Sequence, residues 1–441
     1  MRHLSLVAAI TALCAFASVG AQAQQAFFSG YAGSVPSDPE LQPRAYFNRK
    51  EVRALFAAME TGPVPVSQAE AALKDSTTGI DDLLRTHLLR RDGDMLAIDF
   101  AYFSCMDMER IHAVVEKRAP SLAAAFAAKR SRFDRIFARY RVPGVSRGDL
   151  AFVILAGVSL NWDGLDLTLD SGLRTPRFVE TGGGHYSFWA TAKTPNYSYS
   201  GFYWGSSSFP AGVYNFKEAP ADYTFSSFGD PYSYPRMNFP DLFDLPINEM
   251  TGEIAPLAER IGLKSEELAG ISISDALGFS LARPAAAILF ALRDGAKDER
   301  DLVRRLSPDD TARAPAILAL LEAGDYVRRD DRSRYELTAP VLDRRDQRML
   351  DEALALSRSI MADWLAVNYE PVRDEIGPLT IDRHGLSYAA AFTQIWHELF
   401  GATTRELVKT GLVSDPRAEG AASPGSKPLL WRKTLYDLVP G

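Results

Sequence analysis

The sequence predicts a mostly helical α+β protein in which one architecture of roughly 150 residues occurs twice. Two parts of the chain show the same order of helical patterns, hairpin-like segments and Trp-containing strands. Between them, residues 185–240 hold 17 of the 47 aromatic residues and show no helical period. We therefore expect two tandem repeats, each with extra long helices, joined by an aromatic-rich insert made mainly of strands and loops.

The N-terminal residues 1–23 predict a secretory signal peptide. A short cationic start precedes an apolar run at 4–19, and Ala21-Gln22-Ala23 supplies a small-x-small cleavage pattern. We expect cleavage after Ala23 and an extended linker over 24–44, which makes the mature protein periplasmic or secreted. No later stretch reaches about 18 consecutive apolar residues, so no transmembrane segment is expected in the mature chain.

Composition narrows the possible partners. The formal net charge of −7 disfavours nucleic acid and anionic membrane surfaces as bulk partners. Only Cys105 would remain in the mature chain, so an internal disulfide is not expected. With 46% hydrophobic residues, the fold must be stabilised by apolar burial.

The first elements of the two repeats match in order. Each repeat starts with a helix that contains Leu-Phe-Ala and ends at a glycine, either Gly62 or Gly295. A short helix, a third helix, and a strand–charged turn–strand segment containing Arg-Arg-Asp are predicted next. The matching segments are 51–62 with 285–295, 66–74 with 298–306, 76–88 with 309–323, and 88–100 with 325–337.

The remaining elements continue the match. Long helical patterns are followed by strongly apolar helices that end at Gly-Leu, where the glycine suits a left-handed cap. A short strand built on Trp closes each repeat. The matching segments are 104–140 with 343–374, 151–173 with 390–412, and 185–192 with 427–435. We place repeat one at 45–195 and repeat two at 283–441.

This order of three helices, a two-stranded wing and a long helix resembles the winged-helix superfamily, in the arrangement of MarR- or ArsR-like regulators. The resemblance covers about 60–80 residues of each repeat and rests on element order and leucine spacing. It implies a third helix that, in DNA-binding members, enters the major groove. Here the third helices contribute only Arg85 and Arg313, and residues 297–348 balance 12 basic with 12 acidic residues. A DNA-binding regulator is therefore the least favoured function.

The second wing carries a cluster of arginines. These residues are Arg328, Arg329, Arg332 and Arg334, and Asp330 and Asp331 lie among them. We interpret the segment as a solvated hairpin with its own counter-charges.

The insert at 196–245 supplies the main candidates for recognition, and a helical connector at 246–282 follows it. Exposed Trp and Tyr rings bind sugars, peptides or proteins with little loss of side-chain entropy. The expected ligand-binding residues are Trp204, Tyr203, Tyr199 and Trp189. In the alternative interpretation, these rings form the core of the insert itself.

Candidates for catalysis or metal binding are incomplete. His397 and Glu398 lie in an apolar helix with His384 upstream, but Gly401 stands where a zinc-protease helix needs its second histidine. His384 and His397 remain candidate metal ligands, and His397 and Glu398 candidate acid–base residues. Asp163 and Asp166, three residues apart on the other apolar helix, could form a carboxylate pair. The alternatives are core histidines and a solvated acidic stripe, and no cofactor is predicted.

From these features we predict an exported, non-catalytic binding or interaction protein. Two winged-helix-like repeats would form its scaffold, and the aromatic insert its recognition surface. The expected partners are an envelope protein, a peptide or a glycan. An exported hydrolase with a site near His397, Glu398 and His384, metal-assisted or not, is the alternative.

Overall fold

Helix accounts for 58% and strand for 14% of the structure, which is a computed structural model. These fractions confirm the mostly helical α+β class. The structure describes residues 27–36, 38–194, 205–211, 223–229, 273–323, 326–415 and 426–432.

The helices follow the order expected from the sequence, with short additional turns. The α-helices are α1 Pro43–Phe47, α2 Lys50–Ala58, α3 Val66–Ala72, α4 Ile80–Arg85, α5 Cys105–Ala127, α6 Arg130–Phe137, α7 Arg147–Ala151, α8 Gly164–Asp170, α9 Ile273–Leu292, α10 Glu299–Val303, α11 Pro308–Thr311, α12 Ala314–Ala323, α13 Gln347–Ile376, α14 Thr380–Arg383 and α15 Tyr388–Lys409. Single 3-10 turns lie at Pro39–Leu41 and Arg344–Asp346.

Side-chain caps fix where the long helices start. Before α5, Ser104 and Asp107 exchange side-chain and backbone hydrogen bonds at 3.0 and 3.2 Å. Before α13, the Asp346 carboxylate accepts the Asp343 backbone N–H at 2.9 Å. Both arrangements satisfy backbone N–H groups that the first helical turn leaves unpaired.

The apolar helix predicted at 151–173 contains a π-helical segment, Phe152–Asp163, between α7 and α8. Ser146 caps the start of α7, and almost every side chain of the π segment is buried. By length and composition, helix Arg147–Asp170 could cross a membrane, but 83% of its apolar window is buried inside the protein. A core helix of a soluble protein has the same properties.

Strands form four small sheets within the described residues. The strands are β1 Phe27–Ser34, β2 Val64–Pro65, β3 Leu89–Asp92, β4 Met95–Ile98, β5 Ala101–Phe103, β6 Val179–Thr181, β7 Gly184–Ala192, β8 Gly205–Ala211, β9 Tyr223–Gly229, β10 Val327–Arg329, β11 Tyr335–Leu337, β12 Val341–Leu342 and β13 Ser426–Arg432.

Two of the sheets contain the Trp strands. In the first sheet, β7 pairs antiparallel with β1 and β6 and parallel with β5. In the second sheet, β13 pairs antiparallel with β9 and parallel with β12. Strand β8 then pairs antiparallel with the other side of β9.

The two hairpins that the sequence predicts as wings form the smaller sheets. Strand β4 pairs antiparallel with β3 and with β2, the short strand that follows the first helix. Strand β10 pairs antiparallel with β11, and Lys297 adds an isolated bridge to Tyr335. Each hairpin is therefore extended by a short segment from the turn before it: β2, between α2 and α3, joins the first hairpin, and Lys297, between α9 and α10, joins the second.

The contacts divide the described residues into two compact units. Unit 1 takes the described residues within 27–117, 168–194 and 367–398, and unit 2 takes those within 118–167, 205–366 and 399–432. Both units thus contain segments from both predicted repeats.

Each unit has its own core. In unit 1, aromatic rings from α1, α2, β5 and β7 pack against one another, among them Phe47, Phe56, Tyr102 and Phe188. In unit 2, the buried side chains of α9 and α12 pack with those of β10, β11 and β12. These contacts bury the apolar faces of the predicted three-helix and wing elements.

Candidate functional site

A buried polar cluster lies in unit 1, where α5 meets α15. Its members are Thr194, His112, Glu398 and Gln394. The His112 Nε2 lies 3.1 Å from Glu398 Oε2, and the Gln394 side-chain amide donates to Glu398 Oε1 at 2.7 Å. Gln394 and Glu398 share one face of α15 because they are four residues apart.

Thr194 completes the cluster on the other side of the imidazole. Its Oγ1 lies 3.3 Å from His112 Nδ1. Because a carboxylate accepts hydrogen bonds, the imidazole tautomer that fits carries its proton on Nε2, which donates to Glu398, while Nδ1 accepts from the Thr194 hydroxyl. The cluster therefore orders a hydroxyl, an imidazole and a carboxylate in one line of hydrogen bonds.

This order is also the one that activates hydroxyl nucleophiles, where a base removes the proton and a third group orients the base. Burial limits that chemistry here, since Thr194 and His112 are each 4% exposed and Glu398 is 2% exposed. The same hydrogen bonds hold the end of the β7 segment to α5 and α15.

Glu398 was a candidate from the sequence, whereas its partner His112 was not. His112 lies on the buried face of α5 with Met108, Val115 and Ala119. These residues lie four positions before and three and seven positions after His112, so the sequence places a polar ring within an apolar helical stripe. This pattern could have identified His112 as a candidate site residue.

Comparison of the chain with protein-family models, curated proteins and solved structures finds no match.

His384, a predicted metal candidate, is held between backbone groups of unit 1. Its Nδ1 accepts the Ile98 N–H at 3.2 Å, and its Nε2 donates to the Met59 carbonyl at 2.8 Å. Burial lowers the pKa of His384, and the nearby Arg90 and Arg383 lower it further. Both ring nitrogens are engaged, so a metal would have to displace a backbone hydrogen bond.

The His397 side chain contacts a backbone carbonyl of its own helix, whereas the side chain of its neighbour Glu398 contacts α5. Its Nδ1 lies 2.6 Å from the Thr393 carbonyl, one turn earlier in α15, and burial lowers its pKa. Among the described residues, no three His, Cys, Asp or Glu side chains form a group that could hold a metal ion. His384 and His397 therefore do not belong to such a group.

The predicted carboxylate pair is split between two environments. Asp163, at the end of the π segment, is buried and bonds Arg358 at 2.9 Å within unit 2. Asp166, in α8, is exposed. The structure therefore assigns Asp163 an ion pair and does not bring the two carboxylates to a common cleft.

Three of the predicted recognition residues, Tyr199, Tyr203 and Trp204, lie outside the described residues. The fourth, Trp189, is partly buried in the middle of β7, where its backbone pairs with β1 and β5. Its indole ring lies against Gly30 of β1, so closely that a Cβ at Gly30 would be 2.5 Å from Trp189 Cζ2.

Unit 1 also carries a surface groove of about 490 Å³ at the end of α13. Its lining residues are Arg373, Asp374, Gly377, Pro378, Asp382 and Tyr388. The charged groups already have partners: Arg373 contacts Glu370 and Asp374, and Asp382 accepts the Leu379 N–H. The groove therefore presents an apolar surface with internally paired charges.

The second wing also carries paired charges. Arg334 bonds Asp330 at 2.7 Å and Arg328 bonds Glu336 at 2.6 Å. Hydrogen bonds from Arg334 lower the pKa of Asp330. Binding of these arginines to phosphate would first require these ion pairs to open.

Proposed function

We propose that this chain is an exported binding and interaction protein, in which a duplicated winged-helix-like scaffold presents the aromatic insert as its recognition surface. One observation carries this proposal. The insert contributes the hairpin β8–β9, and β9 pairs with the Trp strand β13 over its whole length, from Tyr223 to Gly229. The insert is thus joined to the scaffold by a continuous sheet.

Several local features support the duplication. Gly62 and Gly295, in the turns that follow α2 and α9, both have positive φ, 140° and 120°. Gly172 and Gly411, after the two apolar helices, have φ of 68° and 66°. The following leucines donate back to Thr168 and Leu407, at 3.0 and 3.1 Å, in the same Schellman-type cap.

The two larger sheets support it independently. In each sheet, the Trp strand pairs parallel with the short strand just before the long helix: β7 with β5, and β13 with β12. It also pairs antiparallel with a strand that comes before the helices of its proposed repeat: β7 with β1, and β13 with β9. Parallel pairing of such short strands requires a long crossover, so a chance recurrence of this topology is improbable.

The contacts within each unit support an exchange of a helical segment between the two proposed repeats. In unit 1, the turn at 380–384 of repeat two docks on repeat one, where the Thr380 N–H donates to Asp107 at 3.1 Å. In unit 2, the matching turn at 140–144 of repeat one docks on repeat two through the Tyr140 hydroxyl and Val341. This reciprocity fits a scaffold derived from a pair of identical subunits.

The winged-helix assignment rests on the wings. A first helix, a short strand, two further helices and a hairpin follow one another, and the short strand joins the hairpin. The paired wing arginines and the net acidic charge favour a scaffold role over DNA binding.

The recognition surface is assigned to Trp204, Tyr203 and Tyr199, with a peptide, a glycan or an envelope protein as the partner. The test is a thermal-shift screen of the mature chain against peptides and cell-wall oligosaccharides. A ligand at a hundredfold excess over its dissociation constant should stabilise the protein by about 2.7 kcal/mol. The shift should disappear in the Trp204→Ala, Tyr203→Ala variant.

The matched control is Phe178→Ala, which removes an aromatic ring that is 40% exposed and lies outside the insert. It should retain the shift. An equal shift in the insert variant would exclude the insert as the recognition surface. Export is tested separately, by N-terminal sequencing of protein from the envelope and the medium, which should start at Gln24.

An exported hydrolase is a second candidate, favoured by the order Thr194–His112–Glu398. It requires that the Thr194 hydroxyl react with an electrophile. Mass spectrometry after treatment with a fluorophosphonate probe should then find the label on Thr194 and lose it in His112→Ala. An unlabelled Thr194 would exclude this candidate.

A further inference from the structure

The polar cluster lies at the position where the chain leaves repeat one for the insert. Thr194 follows β7 by two residues and precedes the predicted insert at 196–245. It is buried, and its hydroxyl bonds His112 of α5. Through Glu398, the same cluster also reaches α15 of repeat two.

Repeat two lacks this cluster at the matching place. In the register that aligns Ser104 with Asp343 and Gly172 with Gly411, His112 aligns with the exposed Asp351 and Glu398 aligns with the buried Ser159. The Ser159 hydroxyl has no hydrogen-bond partner within the described residues. Unit 2 therefore forms the same helix–sheet arrangement without a His–Glu pair.

Burying a carboxylate and an imidazole costs desolvation, which their hydrogen bonds must offset. The fold does not need the pair, as unit 2 shows. In unit 1 the pair lies where the chain leaves β7 for the insert.

We propose that Thr194, His112 and Glu398 form a clamp that fixes the start of the insert and thereby positions its recognition surface. The inference rests on the proposed function, because it gives these residues a role in the same surface. Gln394 and Glu398 orient the imidazole, and the imidazole holds the Thr194 hydroxyl. These residues act through the insert, so they are positioning residues.

The central test is Thr194→Val in the full mature chain, which removes the hydroxyl and keeps the shape of the side chain. Hydrogen exchange of the backbone amides at 195–204 should become about tenfold faster, because loss of a buried hydrogen bond favours local opening. Thr194→Ser should restore the wild-type rate. Exchange in β7 should stay unchanged in both variants.

The matched control is Thr404→Val. Thr404 is also buried, and its hydroxyl donates to the Phe400 carbonyl at 2.9 Å, away from the cluster. This variant should lose stability without faster exchange at 195–204. A change of the same size in both variants, or no change in Thr194→Val, would overturn the clamp.

A second readout separates the clamp from the proposed function. Any ligand found in the thermal-shift screen should bind Thr194→Val more weakly than Thr194→Ser. If Trp204→Ala abolishes binding while Thr194→Val keeps both the affinity and the exchange rate, the clamp fails and the recognition surface stands. If exchange responds but no ligand depends on Trp204, the recognition surface fails and the clamp stands.

Discussion

The Tyr140 hydroxyl makes two hydrogen bonds with the backbone of a single residue, Val341. It accepts the Val341 N–H at 2.8 Å and donates to the Val341 carbonyl at 3.2 Å. Burial raises the pKa of Tyr140, so the phenol stays protonated and can donate. One hydroxyl thus attaches the turn after α6 to β12, within unit 2.

Tyr140→Phe should lower the free energy of unfolding by about 1–3 kcal/mol, because both backbone groups of Val341 lose their partner. Urea unfolding followed by circular dichroism measures the change. Tyr369→Phe is the control, since its hydroxyl makes one bond, to the Leu173 carbonyl at 2.9 Å. An equal loss in the two variants would contradict the double role of Tyr140.

Gly30→Ala should destabilise the first sheet, because the new methyl group would collide with the Trp189 ring. Overpacking of this kind costs about 1–3 kcal/mol. Trp189→Leu in the same chain should recover part of the loss. Gly79→Ala is the control, since its Cβ would meet nothing closer than 3.8 Å. The melting temperatures of these three variants and of the wild type measure the effect, and an unchanged melting temperature in Gly30→Ala would contradict the close contact.

Arg293→Met should cost about 3–5 kcal/mol, since it leaves the buried carboxylate of Asp346 without its cation. Arg293 bonds Asp346 at 2.7 Å and Asp343 at 2.8 Å. Arg345→Met tests the exposed counterpart: Arg345 also bonds Asp343 but is 59% exposed. Its removal should cost under about 1 kcal/mol. Similar losses would show that burial of Arg293 is unimportant.

The lowered pKa of His384 makes stability depend on pH. Below its ordinary value of 6.5, the unfolded chain takes up a proton on this side chain while the folded protein keeps it neutral. Stability should therefore fall as the pH drops below 6.5, with no such loss above it. In His384→Gln the decrease between pH 7 and pH 5 should be smaller, as measured by urea unfolding. The pKa of His397 is lowered too, so part of the decrease should remain. A wild-type slope in His384→Gln would contradict the prediction.

Local features could be predicted from the sequence, whereas the partners of the candidate site residues could not. The glycine caps at Gly172 and Gly411 and the Trp strands were predicted because each depends on residues a few positions apart. The π-helical winding of Phe152–Asp163 was not predicted, since its apolar residues carry no periodic signal.

The amino-acid sequence alone was enough to define the mostly helical class and to locate the main helices and strands. The tertiary structure was needed to show that Glu398 meets His112, from which it is separated by 286 positions, and that His384 bonds the backbone of Ile98. The two kinds of information differ because caps and periodicity act within one segment of chain. Hydrogen-bond partners of buried side chains are instead set by which segments pack together, and here each compact unit draws on stretches that are far apart in the sequence.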